Sequence, residues 1–203
     1  MKTIIVSFSS QEAKEALLNG EVIAFPTETV YGLGAIATSE TAFDNLVRIK
    51  RRPPEKPFTL MGGNNFDFDK YAILTPEIRR VIAKFVPGPL TLLLKPKSGL
   101  PHYITLDSPT IGIRIPGLKE LRDFIDYVGV PLLVPSANKS GEKPALSANE
   151  AYKIFNGEIP YVIDFASSHQ KPSTIIDFSK ETPVLIRQGE LTYDEVMKAY
   201  KGE

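Results

Sequence analysis

Short apolar runs alternate along this chain with stretches in which apolar residues recur every three or four positions. "TIIVSF" at the start has the length and content of a strand. Ser9, with Glu12 three residues on, has capping-box spacing and predicts a helix that ends near Gly20. "EVIAFP" reads as a second strand, after which "TETVYGLGAIATS" is glycine-punctuated and poorly periodic. Helical spacing returns from about Ser39 to Lys50 and puts Phe43, Leu46, Val47 and Lys50 on neighbouring faces, until Pro53 and Pro54 forbid continuation. "FTLMGG", "LTLLLK", "TIGIRIP", "VPLLVP", "YVIDF", "STIIDF" and "PVLIR" are further strand candidates. Between them, helices are predicted over Pro76–Val86, Leu118–Tyr127 and Ser147–Phe155, and a last one from Tyr193.

Short strands mixed with helices over the whole length predict an α/β or α+β fold with a mixed, twisted sheet. No linker, composition break or internal repeat divides the 203 residues, so 1–203 is read as one domain. Many of the polar residues of interest follow directly on an apolar strand, which is where open sheets carry their ligands.

Composition narrows the chemistry. With 24 cationic and 24 anionic side chains the net charge is zero, so any contact with nucleic acid depends on a local patch. The absence of cysteine excludes disulfides, thiolate zinc sites and cysteine nucleophiles, and His102 and His169 cannot by themselves build a histidine metal site. No apolar run approaches the ~18 residues of a membrane span, and the N-terminal stretch turns polar too soon for a signal peptide, so the cytoplasm is the expected location. Phosphate-loop, dinucleotide and His-Glu-x-x-His signatures are absent.

Three constellations remain. "FPTETVYGLG", residues 25–34, brings Thr27, Glu28, Thr29 and Tyr31 to a strand end, with glycines that permit close backbone approach. "KRRPPEKP", residues 50–57, places four cations and three prolines in eight positions, a stiffened segment suited to an anion. "VPSANKSG", residues 134–141, ends a strand with Ser136, Asn138 and Ser140. Each is also compatible with an ordinary turn or a solvated helix end, and composition alone does not separate the two. Arg114 in "IGIRIP" and Arg187 in "PVLIRQG" lie among apolar neighbours, where a charge requires a carboxylate partner from the protein or from a ligand.

In order, "FPTETVYGLGA", "KRRPPEKPF", "PGPLTLLLK", "TIGIRIP", "PLLVPSANKSG", "KPSTIIDF" and "PVLIRQGE" resemble the YrdC/TsaC family of threonylcarbamoyl-AMP synthases, from about Val22 to Glu190. The resemblance includes the paired Lys-x-Arg and Ser-x-Asn signatures, here Lys50-Arg51-Arg52 and Ser136-Ala137-Asn138. It implies a twisted, largely open sheet around a concave, positively charged cavity. That cavity would take L-threonine, bicarbonate and ATP, with Mg²⁺ on the phosphates. The product would be threonylcarbamoyl-AMP for the modification of adenosine 37 in tRNA, handed to a tRNA threonylcarbamoyl-transfer complex, with tRNA itself as a further contact. By the same resemblance, Thr29, Tyr31, Arg114, the main chain near Val134, and Ser173 fall to threonine. Lys50, Arg52, Lys56, Thr110, Ser136, Asn138 and Arg187 fall to ATP, with Lys50 and Arg52 as the catalytic pair. Longer members carry a histidine near the threonine amine where this chain has Met61, and they carry an extra C-terminal domain, so the chain resembles the short form. Two alternatives stand beside this reading: an RNA-binding module using the basic surface, and a carbamoyl-adenylate-forming enzyme similar to the corresponding module of hydrogenase maturation carbamoyltransferases.

Overall fold

The computed structural model describes residues 2–52, 57–166 and 171–203. Its first five strands are β1 (Ile4–Val6), β2 (Ile23–Phe25), β3 (Gly32–Ile36), β4 (Thr59–Met61) and β5 (Leu90–Leu94). The other five are β6 (Ile111–Arg114), β7 (Leu132–Val134), β8 (Tyr161–Ile163), β9 (Thr174–Asp177) and β10 (Val184–Arg187). Helices are α1 (Gln11–Leu18), α2 (Glu40–Lys50), α3 (Pro76–Phe85), α4 (His102–Thr105), α5 (Lys119–Val128), α6 (Ala148–Phe155) and α7 (Tyr193–Lys201). The strands form one mixed sheet in the order β1-β8-β2-β3-β7-β4-β6-β5-β9-β10. The pairs β1/β8, β8/β2, β4/β6 and β5/β9 are parallel and the rest antiparallel. This is the mixed, helix-flanked α/β architecture expected of the strand and helix pattern.

The central strands β2, β3, β6 and β7 are buried along their whole length, which is why β2 and β7 read as continuous apolar runs and not as alternations. Two local expectations are corrected. The cap of α1 is Ser10, whose Oγ accepts from the Ala13 amide at 3.1 Å, whereas Ser9 bonds Ser7. The segment after Thr29 is not irregular: Gly32–Ile36 is strand β3. Its glycines hide it from a period-two reading, and the packing requires them, since a Cβ on Gly34 would fall 2.3 Å from the Phe25 ring.

The α2 terminus matters most for the site. Ser39 caps its start, and its end turns at Arg51, which adopts a left-handed conformation with φ of 52°. Arg51 therefore leaves the helix toward solvent, where it pairs loosely with Glu158 at 3.9 Å. Lys50, one residue earlier, is buried. Among the described residues no helix is long and apolar enough to cross a membrane.

Candidate active site

Adjacent strand ends leave a cavity of about 840 Å³. It lies between the loop after β2, the end of α2, strands β4 to β6, the loop after β7, and the β9/β10 edge. Thr29, Tyr31, Lys50, Arg52, Thr110, Arg114, Val134, Ser136, Asn138, Ser173 and Arg187 all line it, so segments far apart in sequence converge on one space. Lys56 lies outside the described residues.

One corner is built on Arg114, the last residue of β6. Its Nη2 donates to Thr29 Oγ1 at 3.0 Å and lies 2.8 Å from the Glu28 carboxylate, so the carboxylate partner that its apolar setting demanded is supplied by the protein. Burial pushes the Glu28 carboxyl up, but the guanidinium together with main-chain hydrogen bonds at Gly117 and Glu28 holds the group below its ordinary value. Arg114 Nε is buried and has no hydrogen-bond partner among the described residues. Tyr31, also buried, ties loops together through its main chain, donating to Ala145 O at 3.0 Å and accepting from the Ala137 amide at 2.7 Å. Burial, then the Asp164 carboxylate, push its phenol up to about 12, so it is protonated at neutral pH.

A second corner joins the two signatures. The Lys50 ammonium donates to Ser136 O at 2.6 Å and Asn138 Oδ1 at 2.7 Å, with Ser136 Oγ at 3.4 Å. Its three donors are thus directed at the loop. Asn138 is equally committed: its amide donates to Lys139 O and Glu142 O, both at 2.8 Å, and its oxygen also accepts from Ser136 Oγ at 2.6 Å. The Ser140 amide donates back to Lys50 O at 3.0 Å. Lys139 closes the arrangement by donating to Ile49 O at 3.0 Å and to Glu158 at 2.6 Å.

At the third corner Arg187 Nε and Nη2 both donate to Ser173 O, at 3.0 and 2.9 Å, and Nη2 also reaches Ser173 Oγ at 3.0 Å. The β10 ladder shifts register between Leu185 and Arg187, an irregularity that re-aims the arginine toward the cavity. Arg52 stands apart with its guanidinium 5.1 Å from the Phe58 ring centre.

Four cations, Lys50, Arg52, Arg114 and Arg187, line the cavity against a single carboxylate, Glu142, among the described lining residues. Burial, then Arg52, hold Lys50 down at about 8; burial lowers Arg52; burial, then Arg114, lower Arg187. Partly buried cations that repel one another would be relieved by an anion, which lessens both effects at once. Sequence reading passed over Thr91, Ser108 and Glu142, which also line the cavity. Thr91 did carry a signal: it is the one polar residue inside the apolar run "PLTLLL".

A cavity lined by four cations at the strand ends of a mixed sheet is the kind of site at which open α/β sheets carry ligands. The Sua5/YciO/YrdC family model, described as "Telomere recombination", matches residues 15–189, and the chain belongs to that family. A Methanocaldococcus jannaschii protein described as "Putative threonylcarbamoyl-AMP synthase" is 37% identical over 177 residues, covering 87% of this chain and 83% of that protein. The threonylcarbamoyl-AMP synthase of Pyrococcus abyssi is 36% identical over 181 residues, 88% of this chain, which spans only 53% of that relative. The crystal structure of P. abyssi Sua5 complexed with L-threonine superposes with a TM-score of 0.89 at 33% identity, covering 98% of this chain and 61% of that one.

Proposed function

We propose that this chain is a threonylcarbamoyl-AMP synthase that joins L-threonine, bicarbonate and ATP. The observation that carries this reading is the convergence of four cations and the Thr29, Ser136 and Ser173 hydroxyls on one cavity of about 840 Å³. The threonine carboxylate, bicarbonate and the ATP phosphates are all anionic, and the cavity supplies the opposite charge. The names of the two relatives and the threonine complex of the Pyrococcus protein support the same assignment.

In the reaction, the threonine amine attacks the carbon of carbon dioxide, releasing a proton, or that of bicarbonate, releasing water, and gives a carbamate. A carbamate oxygen then forms a bond to the α-phosphorus of ATP, and the bond from that phosphorus to the bridging oxygen breaks, releasing pyrophosphate. The step is a nucleotidyl transfer, and the protein acts in it by positioning and charge neutralisation. Thr29, Tyr31, Arg114, Val134 and Ser173 are assigned to threonine; Thr110, Ser136, Arg52 and Arg187 to the nucleotide, with Lys56 beside them outside the described residues. Lys50 and Asn138 belong to the nucleotide side as organisers of the Ser136 loop, since their hydrogen bonds are directed at it.

The described residues contain no group of three or more carboxylates or imidazoles fit to hold a metal. Mg²⁺ is therefore assigned to the triphosphate, as part of the substrate. We assign the protein to the cytoplasm and its product to a tRNA-modifying transfer step, with tRNA contact subordinate to catalysis because the chain has zero net charge.

The test is pyrophosphate release from ATP and Mg²⁺ with threonine and bicarbonate. Release that requires threonine is expected. Release supported by carbamoyl phosphate in its place would favour the carbamoyl-adenylate reading, and none in either case, with salt-sensitive RNA binding, would favour the RNA module.

A further inference from the structure

Thr91 and Ser173 are almost fully buried, at 3% and 2% exposure, yet both line the cavity. Strand pairing explains how they meet. Thr91 pairs with Ile175 across the parallel strands β5 and β9, and Ser173, two residues before Ile175, lies on the same face, so the two hydroxyls meet on the diagonal. On its other side Leu92 pairs with Ile113, so the residue before the one and the residue after the other, Thr91 and Arg114, are abreast on adjoining strands. Thr91 thus lies between Ser173, which holds Arg187, and Arg114.

The hydroxyl hydrogens can be counted. Thr91 Oγ1 and Ser173 Oγ are 2.9 Å apart, so one hydrogen lies between them. Ser173 Oγ also accepts from Arg187 Nη2 at 3.0 Å. Two hydroxyls carry two hydrogens, and among the described residues the second has no acceptor. If Thr91 donates to Ser173, the Ser173 hydrogen is unspent; if Ser173 donates, the Thr91 hydrogen is. Either way the pair offers one O–H donor to the cavity, flanked by two guanidinium groups.

We propose that the Thr91–Ser173 pair is a single hydroxyl donor for the carboxylate of the amino-acid substrate, which makes Thr91 a ligand-binding residue. The proposal rests on reading the cavity as an amino-acid-activating site. Burial favours a carboxylate over a triphosphate: Thr91 and Ser173 are almost fully buried and suit a small terminal group, whereas Arg52 is only half-buried. Two oxygens of a planar carboxylate can meet the hydroxyl and a guanidinium together.

Thr91→Val removes the hydroxyl at nearly constant shape and keeps a β-branched residue in the strand. Calorimetric titration with L-threonine should show binding weakened about tenfold or more, the loss of one hydrogen bond to a charged group. ATP affinity should stay within about twofold, and Thr91→Ser should bind threonine nearly as the parent does. L-Threoninamide, which lacks the carboxylate, should bind parent and valine variant alike. Should valine disturb the strand, as a melting curve would reveal, Thr91→Ala gives the same readout without branching. Unchanged threonine affinity in the hydroxyl-less variants overturns the proposal alone, as does a loss that falls on ATP instead. A parent protein that binds no threonine overturns the functional reading, and this proposal with it.

Discussion

Replacing Glu28 by glutamine removes a carboxylate held 2.8 Å from Arg114 Nη2, in a pair whose side chains are 12% and 8% exposed. Glutamine keeps the volume, so charge changes and packing does not. Neutralising one partner of a buried pair costs about 3–5 kcal/mol because it leaves a desolvated charge uncompensated. Thr29 still accepts from Arg114, and the guanidinium borders the cavity, so the low end, about 3 kcal/mol, applies. At about 2–4 °C per kcal/mol for a chain of this size, Tm should fall by about 6–12 °C. Saturating L-threonine should restore more of that loss in the variant than it adds to the parent, since its carboxylate replaces the missing one. Acid gives a second signature. The Glu28 carboxyl titrates below its ordinary 4.5, because Arg114 and main-chain hydrogen bonds together offset burial. Such a group contributes stability that is full above the unfolded pKa and is lost as pH falls through the folded one. Part of the acid destabilisation of the parent should therefore vanish in Glu28→Gln. Thermal scans from about pH 7 to about pH 3.5 measure both effects, and a neutral-pH Tm within about 2 °C of the parent would refute the idea that Glu28 compensates Arg114.

Two further outcomes are expected. A Cβ on Gly189 would lie 2.3 Å from Pro172 O and 2.4 Å from Thr174 N, main-chain atoms on either side of Ser173. Gly189→Ala should then cost about 1–3 kcal/mol, lower Tm by about 2–12 °C and raise the KM for threonine; a parental melting curve would show that the turn relaxes freely. Lys50, held down at about 8 by burial and then Arg52, should lose its charge as pH rises through that value, weakening ATP binding. Because its folded pKa is below its unfolded 10.5, the same rise should increase stability up to about pH 10.5. Opposite slopes of affinity and Tm, both lost in Lys50→Met, identify the group, and a flat ATP affinity between about pH 7 and pH 9.5 would remove it from the charge balance.

Much of the fold was legible because its elements obey simple periods. Helices such as α5 bury Leu121, Phe124, Ile125 and Val128 on one face, and strands such as β7 are apolar throughout. β3 was not legible, since its glycines are set by the Phe25 ring on the neighbouring strand and not by any local pattern. The short helix α4 has only four residues and no side-chain cap, too little for any periodic signal. The site was legible as a set of residue types at strand ends, but the division of labour within it was not. Glu28 and Arg114 are 86 positions apart, as their numbers show, and nothing local announces that the one compensates the other.

That division follows from where each cation's partners lie. Arg114 has its carboxylate in Glu28, and Lys50 directs its donors at Ser136 and Asn138. Arg52 and Arg187 have no carboxylate partner among the described residues, so under the proposed function theirs is the charge left for the triphosphate. The three consecutive cations of "KRR" look alike in sequence, yet the left-handed turn at Arg51 separates them. Lys50 is carried into the fold, Arg51 to a surface where its side chain is 69% exposed, and Arg52 to the cavity wall. A Lys-x-Arg spacing across a helix end is thus a means of placing one cation in the framework and the next on the cavity wall. The residue between them keeps no role in the cavity.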